Sequence, residues 1–432
     1  MRRWDLRRVL PMIIAPLAAL VLAALVSSAA LLISGKDPLG AFSAMFDYAF
    51  GPDSGPDVTT EILNKATPYY LAALAVAIGF RMGLFNIGVD GQSRLGILAA
   101  GALGAASFLG VVPGPLRVVI MIIVAMAVGA AWAAVAALLK VYRGVSEVIS
   151  TIMLNFIGGA IFAYLLTTDR LGVKAVGGEI VSTPLLKSDS WIPGVSVFAG
   201  TANKLFGFAF IAIACGIAYW FLVGRTRFGF DLRATGLNPS AAVASGVNAK
   251  RMVITTMLLS GGVAGLVALP EVLGRDHAVT TSTPALGFTG IAIALLGRNN
   301  PVGIALAALL WAFLDVSNLP LDLLDIPKEI VTIMQGVTVL AVVVAYELAA
   351  RVGRRQQQRR VGAATGEAAI VTLEIPAALA AKPGVEAVSA TVERPGPTAP
   401  PDSTAPPDMS APSDPSAPSD PTVPGKHREE QS

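Results

Sequence analysis

The residues in this chain that could do chemistry are few, and most of them are amides. Asn86, Gly88, Asp90 and Gln92 fall within one seven-residue stretch, Asn155 sits inside a long apolar run, and Asn299 and Asn300 follow a second such run. Amides and a carboxylate set among apolar residues need a protein partner or water, so each of these positions marks either a bond between helices or the wall of a polar pathway. The sequence alone leaves both readings open for Asn155. For the glycines the competing reading is close packing of helices, which small residues favour. Catalysis finds no support: no nucleophile stands beside a base, and no GxxxxGK[ST] phosphate-binding stretch occurs. His277 and His427 are the only histidines and Cys215 the only cysteine, which excludes a histidine-built metal site and any disulfide within the chain. The chain is expected to be no enzyme and to hold no cofactor or metal of its own.

The elements that must position these groups follow from composition. Of 432 residues, 54% are hydrophobic and 14% charged, against about 25% charged in an average soluble domain. The apolar residues come in long runs with the charges between them, which predicts an all-α polytopic membrane protein. Ten segments are expected, at about 9–33, 68–80, 95–112, 115–139, 146–166, 205–223, 252–270, 286–297, 301–316 and 329–349, with residues 35–66 as a polar loop. The first is long for a signal peptide and reads as a retained helix. Two segments, 68–80 and 286–297, are only half a span long, and each runs into a polar stretch rich in Gly and Asn. Backbone that leaves the helix at membrane depth is tolerated where it is buried in protein or lines a wet cavity, so these breaks point to a translocation site.

With residue 1 inside, the inner loops hold 19 Lys and Arg against 9 in the outer ones. The excess of basic residues marks the cytoplasmic side, so both termini are expected there. The inner loop at 224–251 contains Arg233, Gly236, Asn238, Pro239, Ala241, Ala242 and Gly246. Asn238 suits an N-cap, Pro239 the first helical position and Gly246 a left-handed stop. The helix between them is about two turns long, too short to be stable alone, and is either an ordered turn or a piece made to dock into a cytoplasmic partner. The basic residues follow topology and form no face for nucleic acid. Residues 1–350 therefore read as the membrane domain. From residue 361 to 432 the chain turns to Pro, Ala, Ser, Thr and Asp, too poor in apolar surface to order itself, so a disordered tail is expected. Acidic and histidine residues deep in the spans, which ion-coupled carriers use, are scarce, and this favours a permease driven by a separate ATPase.

Five stretches sharpen that reading. Phe85-Asn86-Ile87-Gly88-Val89-Asp90-Gly91-Gln92, Ser146-Glu147-Val148-Ile149-Ser150-Thr151-Ile152-Met153-Leu154-Asn155, Arg233-Ala234-Thr235-Gly236-Leu237-Asn238-Pro239-Ser240-Ala241-Ala242, Ser260-Gly261-Gly262-Val263-Ala264-Gly265-Leu266 and Gly290-Ile291-Ala292-Ile293-Ala294-Leu295-Leu296-Gly297-Arg298-Asn299-Asn300-Pro301 lie in this order. Together they resemble the permeases of nucleoside and simple-sugar ABC importers, relatives of the ribose and branched-chain amino acid permeases. The resemblance covers residues 10–350, with Asp90 where the family usually has Glu. It implies a pathway formed with a second permease, often a different one, over ATP-binding subunits that use the ATP, with a solute-binding lipoprotein outside. It also implies that 238–246 is the coupling helix. The first stretch is most similar to the nucleoside branch, so purine nucleosides come first as substrate, simple sugars second and branched-chain amino acids third. Asn86, Gln92, Asn155 and Asn299 then become the donors and acceptors for solute. An ATPase-independent channel or carrier is the alternative from a different class.

Overall fold

In hydrocarbon every backbone amide must be satisfied within the chain, and for these apolar runs the α-helix is the local way to do it. The computed structural model describes residues 21–174, 180–281, 284–327, 329–345 and 351. Its helices are α1 (Val21–Ile33), α2 (Pro38–Phe50), α3 (Gly55–Phe80), α4 (Val89–Gly104), α5 (Gly114–Arg143), α6 (Glu147–Leu165), α7 (Phe208–Arg225), α8 (Arg227–Leu237), α9 (Pro239–Ala244) and α10 (Ala249–Gly265). They continue with α11 (Leu269–Glu271), α12 (Gly287–Leu296), α13 (Pro301–Val316), α14 (Leu319–Leu323) and α15 (Glu329–Ala345). The only strands among the described residues, β1 (Val173–Lys174) and β2 (Val181–Ser182), form one short antiparallel pair.

The expected ten spans are not all single long helices. Among the described residues five helical stretches are long and apolar enough to cross a membrane: α5, α6, α7, the continuous run Ala249–Asp276 and Pro301–Leu323. A sixth follows if α1 and α2, bent by 118° across their junction, count as one. Two expectations are corrected. Residues 35–66 are no loop, since they contain α2 and the first half of α3. Segment 68–80 is no half-span either, because α3 runs 26 residues from Gly55 through Pro68. Helices between other helices can tolerate an internal proline where neighbouring groups satisfy the backbone it frees. The polar first half of α3 is also anchored far along the chain, where Asn64 donates to the Lys204 carbonyl at 3.0 Å and accepts from the Phe206 amide at 2.8 Å. The short segment at 286–297 does hold: α12 has 10 residues, about 15 Å of a hydrocarbon core about 30 Å thick.

From Leu71 to Gly79 every residue of α3 is buried, as expected for a helix that is apolar on all sides. It packs against α7, α10, α12 and α13. Beside it α4, α5 and α10 approach until only glycine fits. A methyl group on Gly265 would stand 2.0 Å from the Ala125 carbonyl oxygen, and one on Gly261 2.5 Å from that of Gly129. Small residues are favoured at such helix interfaces. At the end of the molecule away from α8 and α9, the segment 180–192 is tied to the chain around Leu273 and His277: Leu186 donates to the His277 carbonyl at 2.8 Å and Ile192 to that of Leu273 at 3.0 Å. Trp191 stacks on the His277 ring at 3.7 Å, and burial pushes that imidazole's pKa below its ordinary value. The expected tail at 361–432, the N-terminal arginines and the basic cluster at 354–360 lie outside the described residues.

Candidate functional site

The turn at residues 81–88, between α3 and α4, is held from inside. Asn86 is fully buried and its amide is saturated: Nδ2 donates to Gln92 Oε1 at 2.9 Å and to Ser260 Oγ at 2.8 Å, while Oδ1 accepts from the Gly88 amide and from Gln92 Nε2. The Ser260 hydroxyl in turn donates to the Ala75 carbonyl at 2.6 Å. Asn86 and Gln92, expected as solute contacts, thus face each other and the core. They fix the position at which α4 starts. Gly88 lies against the same pair, with no room for a side chain.

Asp90 and Asn155 stand differently. Both are half-buried, and together with Arg94, Phe156, Ala285 and Phe288 they line a cleft of about 400 Å³ between α4, α6 and the start of α12. One Asp90 oxygen accepts from the Gly287 amide at 2.6 Å. That amide opens α12, where the unpaired N–H groups and the helix dipole favour an anion. Asn155 spans the break below, accepting from the Gly91 amide at 2.9 Å and donating to the Ile87 carbonyl at 2.6 Å. It bonds between helices and lines the cleft at once. Phe156 and Phe288 are 73% and 65% exposed, so two aromatic rings border the cleft beside a carboxylate and an amide. Such a mixture offers stacking surface and hydrogen-bond partners to a small polar molecule.

At the opposite end of α12 the second break closes. Arg298 and Asn299 both take positive φ, 55° and 53°, an uncommon backbone state in which Asn is enriched. The Asn299 carbonyl accepts from Arg81 Nη2 and from the Tyr219 hydroxyl, each at 2.7 Å, and Arg81 Nε donates to that hydroxyl at 3.3 Å. Asn300 caps α13 through its side chain, accepting from the Val302 amide at 3.0 Å. Asn299 and Asn300 therefore shape the turn at the end of α12 remote from the Asp90 cleft. Sequence alone does not single out Arg81 and Tyr219, because nothing local links residue 81 to residues 219 and 299.

Next to this turn lie α8 and α9. Asn238 Oδ1 accepts from the Ala241 amide at 3.0 Å, Pro239 occupies the first helical position, and Gly246 takes φ +87°. Only Ala242 of α9 is buried, while Leu237 and Val243 are 88% and 56% exposed. Arg233 donates to the Val223 carbonyl, tying α8 to the end of α7. A side chain on Gly236 would meet the Met82 backbone at 2.8 Å and the Arg81 carbonyl at 3.0 Å, so α8 rests directly on the turn that carries Arg81. No group of histidine, cysteine or carboxylate side chains among the described residues is arranged to hold a metal.

Comparison with known proteins identifies the family. A family described as the permease component of the branched-chain amino acid transport system matches residues 58–343. The chain is 33% identical to the guanosine ABC transporter permease protein NupP of Bacillus subtilis over 80% of its own length and 97% of that protein's. It is 31% identical to a glucose ABC transporter permease protein of Haloferax volcanii, over 78% and 89% of the two chains. With the nucleoside ABC transporter permease protein NupB of Lactococcus lactis it shares 29%, over 77% and 91%. No solved structure matches it. The chain is a multi-pass membrane protein that belongs to the branched-chain amino acid transport permease family, on the side of the nucleoside and sugar ABC transporter permeases.

Proposed function

We propose that this chain is a membrane-spanning subunit of an ATP-driven importer of nucleosides, purine nucleosides first. The observation that carries the proposal is the cleft of Asp90 and Asn155 between the exposed rings of Phe156 and Phe288. A nucleoside offers a flat base to an aromatic ring and ribose hydroxyls to a carboxylate and an amide, and its size suits a cleft of about 400 Å³. The names of relatives that carry guanosine and nucleosides support it. Simple sugars are the second reading, favoured by the glucose permease relative.

On this reading the energy comes from an ATP-binding subunit beneath the chain, and the chain itself binds neither ATP nor any cofactor. A second, different permease completes the pathway, as the paired guanosine permeases of Bacillus subtilis suggest, and an outer solute-binding lipoprotein delivers the cargo. The excess of basic residues in alternate loops supports cytoplasmic termini and puts α9 toward the ATPase. The exposed α9 receives the ATPase, and Gly236 passes its displacement to Met82 and Arg81. Arg81 and Tyr219 pull on the Asn299 carbonyl, and α12, a single rigid rod, moves its far end at Gly287 against Asp90. One chain of packing contacts and hydrogen bonds thus joins docking surface and solute cleft. The test is uptake of radiolabelled guanosine by cells expressing the full transporter, with and without an inactivated ATPase subunit and with glucose as competitor. Uptake that needs an active ATPase and ignores glucose is expected. Concentrative uptake without ATP hydrolysis means a secondary carrier, and full competition by glucose means a sugar permease.

A further inference from the structure

Between α3, α7 and α13 runs a groove of about 560 Å³ whose lining, including Leu63, Tyr70, Ile213, Ile217, Val302 and Leu309, contains no charged residue. The groove ends at Trp220 and Pro301, and those same two residues open a second pocket of about 320 Å³. The second pocket is polar in a particular way: Arg81, Arg233, Tyr219 and Asn300 line it, and no carboxylate does. A third guanidinium, that of Arg225, lies over the Trp220 ring at 5.0 Å. Arg81 spends Nε and Nη2 on the Tyr219 hydroxyl and the Asn299 carbonyl, which leaves the remaining N–H groups of its fork for an anion.

The dimensions say which anion. Along α7 the groove extends from Ala209 to Trp220, about 16 Å at about 1.5 Å per residue, or one leaflet of a hydrocarbon core about 30 Å thick. Trp and Tyr at its charged end stand where interfacial aromatics belong. A free phosphate would use the arginines and leave the groove empty; a neutral lipid would use the groove and leave two guanidiniums without a counter-charge. A helix from a partner protein would have to bring its own carboxylate to this end. We propose that groove and pocket together bind one anionic phospholipid from the leaflet on the α8 and α9 side. An acyl chain lies along α3, α7 and α13, and the phosphate sits between Arg81 and Arg233. Basic pockets between membrane helices recognise such headgroups by the same charge complementarity. The site does not depend on the identity of the transported solute.

The experiment is native mass spectrometry of the assembled transporter, purified in detergent and exposed to equal amounts of phosphatidylglycerol and phosphatidylcholine. Preferential retention of phosphatidylglycerol by about tenfold is expected, falling to parity in Arg233→Gln and lost in Ile213→Trp, whose indole fills the exposed groove. In parallel, a photo-reactive benzoylphenylalanine at Ile217, which is 60% exposed, is irradiated in membranes. A lipid adduct supports the proposal without requiring any altered site to fold. Equal retention of both lipids, retention indifferent to both substitutions, or an Ile217 adduct with the second permease overturns it.

Discussion

At the scale of single residues, the polar groups divide by where their hydrogen bonds go. Asn86 and Gln92 spend theirs on each other and on Ser260, 174 positions away, so their loss should cost stability. Asn86→Leu strands the Gln92 amide and the Gly88 N–H in the interior. A loss of about 3 kcal/mol is expected, read as a lowered melting temperature of the purified protein. Asp90 keeps one side in the cleft, so Asp90→Asn should lower melting only slightly: its side-chain oxygen still accepts from Gly287, and only the charge at the helix N-terminus, worth about 0.3–1 kcal/mol, is lost. Without the charge, uptake of labelled nucleoside should fall about tenfold, equivalent to about 1.4 kcal/mol. If Asp90→Asn melts early and transports normally per folded molecule, the two roles are reversed. Sequence signalled that all these groups were exceptional, but could not divide them, because burial and the identity of a distant partner decide the matter.

At the scale of elements, legibility followed how local the determining contacts are. The cap at Asn238, the first-turn Pro239 and the stop at Gly246 lie within nine residues, and α9 stands where their chemistry puts it. The start of α3 was misjudged for the opposite reason. Asp57, Glu61 and Lys65 look like loop residues, yet the polar turns they make are satisfied elsewhere: the Asn203 amide donates to Asp57 Oδ1 at 2.8 Å, and Lys65 pairs with Glu271 at 3.8 Å. Helix-packing faces such as Gly265 against Ala125 were visible only as small residues with no assigned neighbour. The exposed α9 yields its own prediction. No atom lies within 4 Å of a methyl group placed on Gly246, so Gly246→Val is expected to act chiefly through backbone strain, about 1–2 kcal/mol at φ +87°. The membrane level of the protein should stay normal while uptake drops severalfold and co-purification of the ATPase subunit weakens. Wild-type uptake in both Gly246→Val and Asn238→Leu would argue that α9 is only an ordered turn.

At the scale of the whole molecule, the question is how a displacement at one end reaches the other. α12 packs on the buried hub α3 and is gripped at both ends, by Arg81 and Tyr219 on the Asn299 carbonyl and by Asp90 on the Gly287 amide. α4, α5 and α10 are wedged glycine to backbone beside that hub. Cutting the grip at the Asn299 end should separate energy use from transport. Tyr219→Phe removes one of the two short bonds and Arg81→Gln the other, while the Asp90 cleft and the face of α9 stay untouched. In the reconstituted transporter both variants should hydrolyse ATP at the unstimulated rate and bind the ATPase subunit normally. Uptake per ATP hydrolysed should fall about threefold in Tyr219→Phe and about tenfold in Arg81→Gln, since a bond to a charged donor is about twice as strong as a neutral one. A proportional fall of hydrolysis and uptake would instead assign these residues to assembly. An unchanged ratio in Arg81→Gln, beside lost uptake in Asp90→Asn, would leave the solute cleft standing and remove α12 as the link.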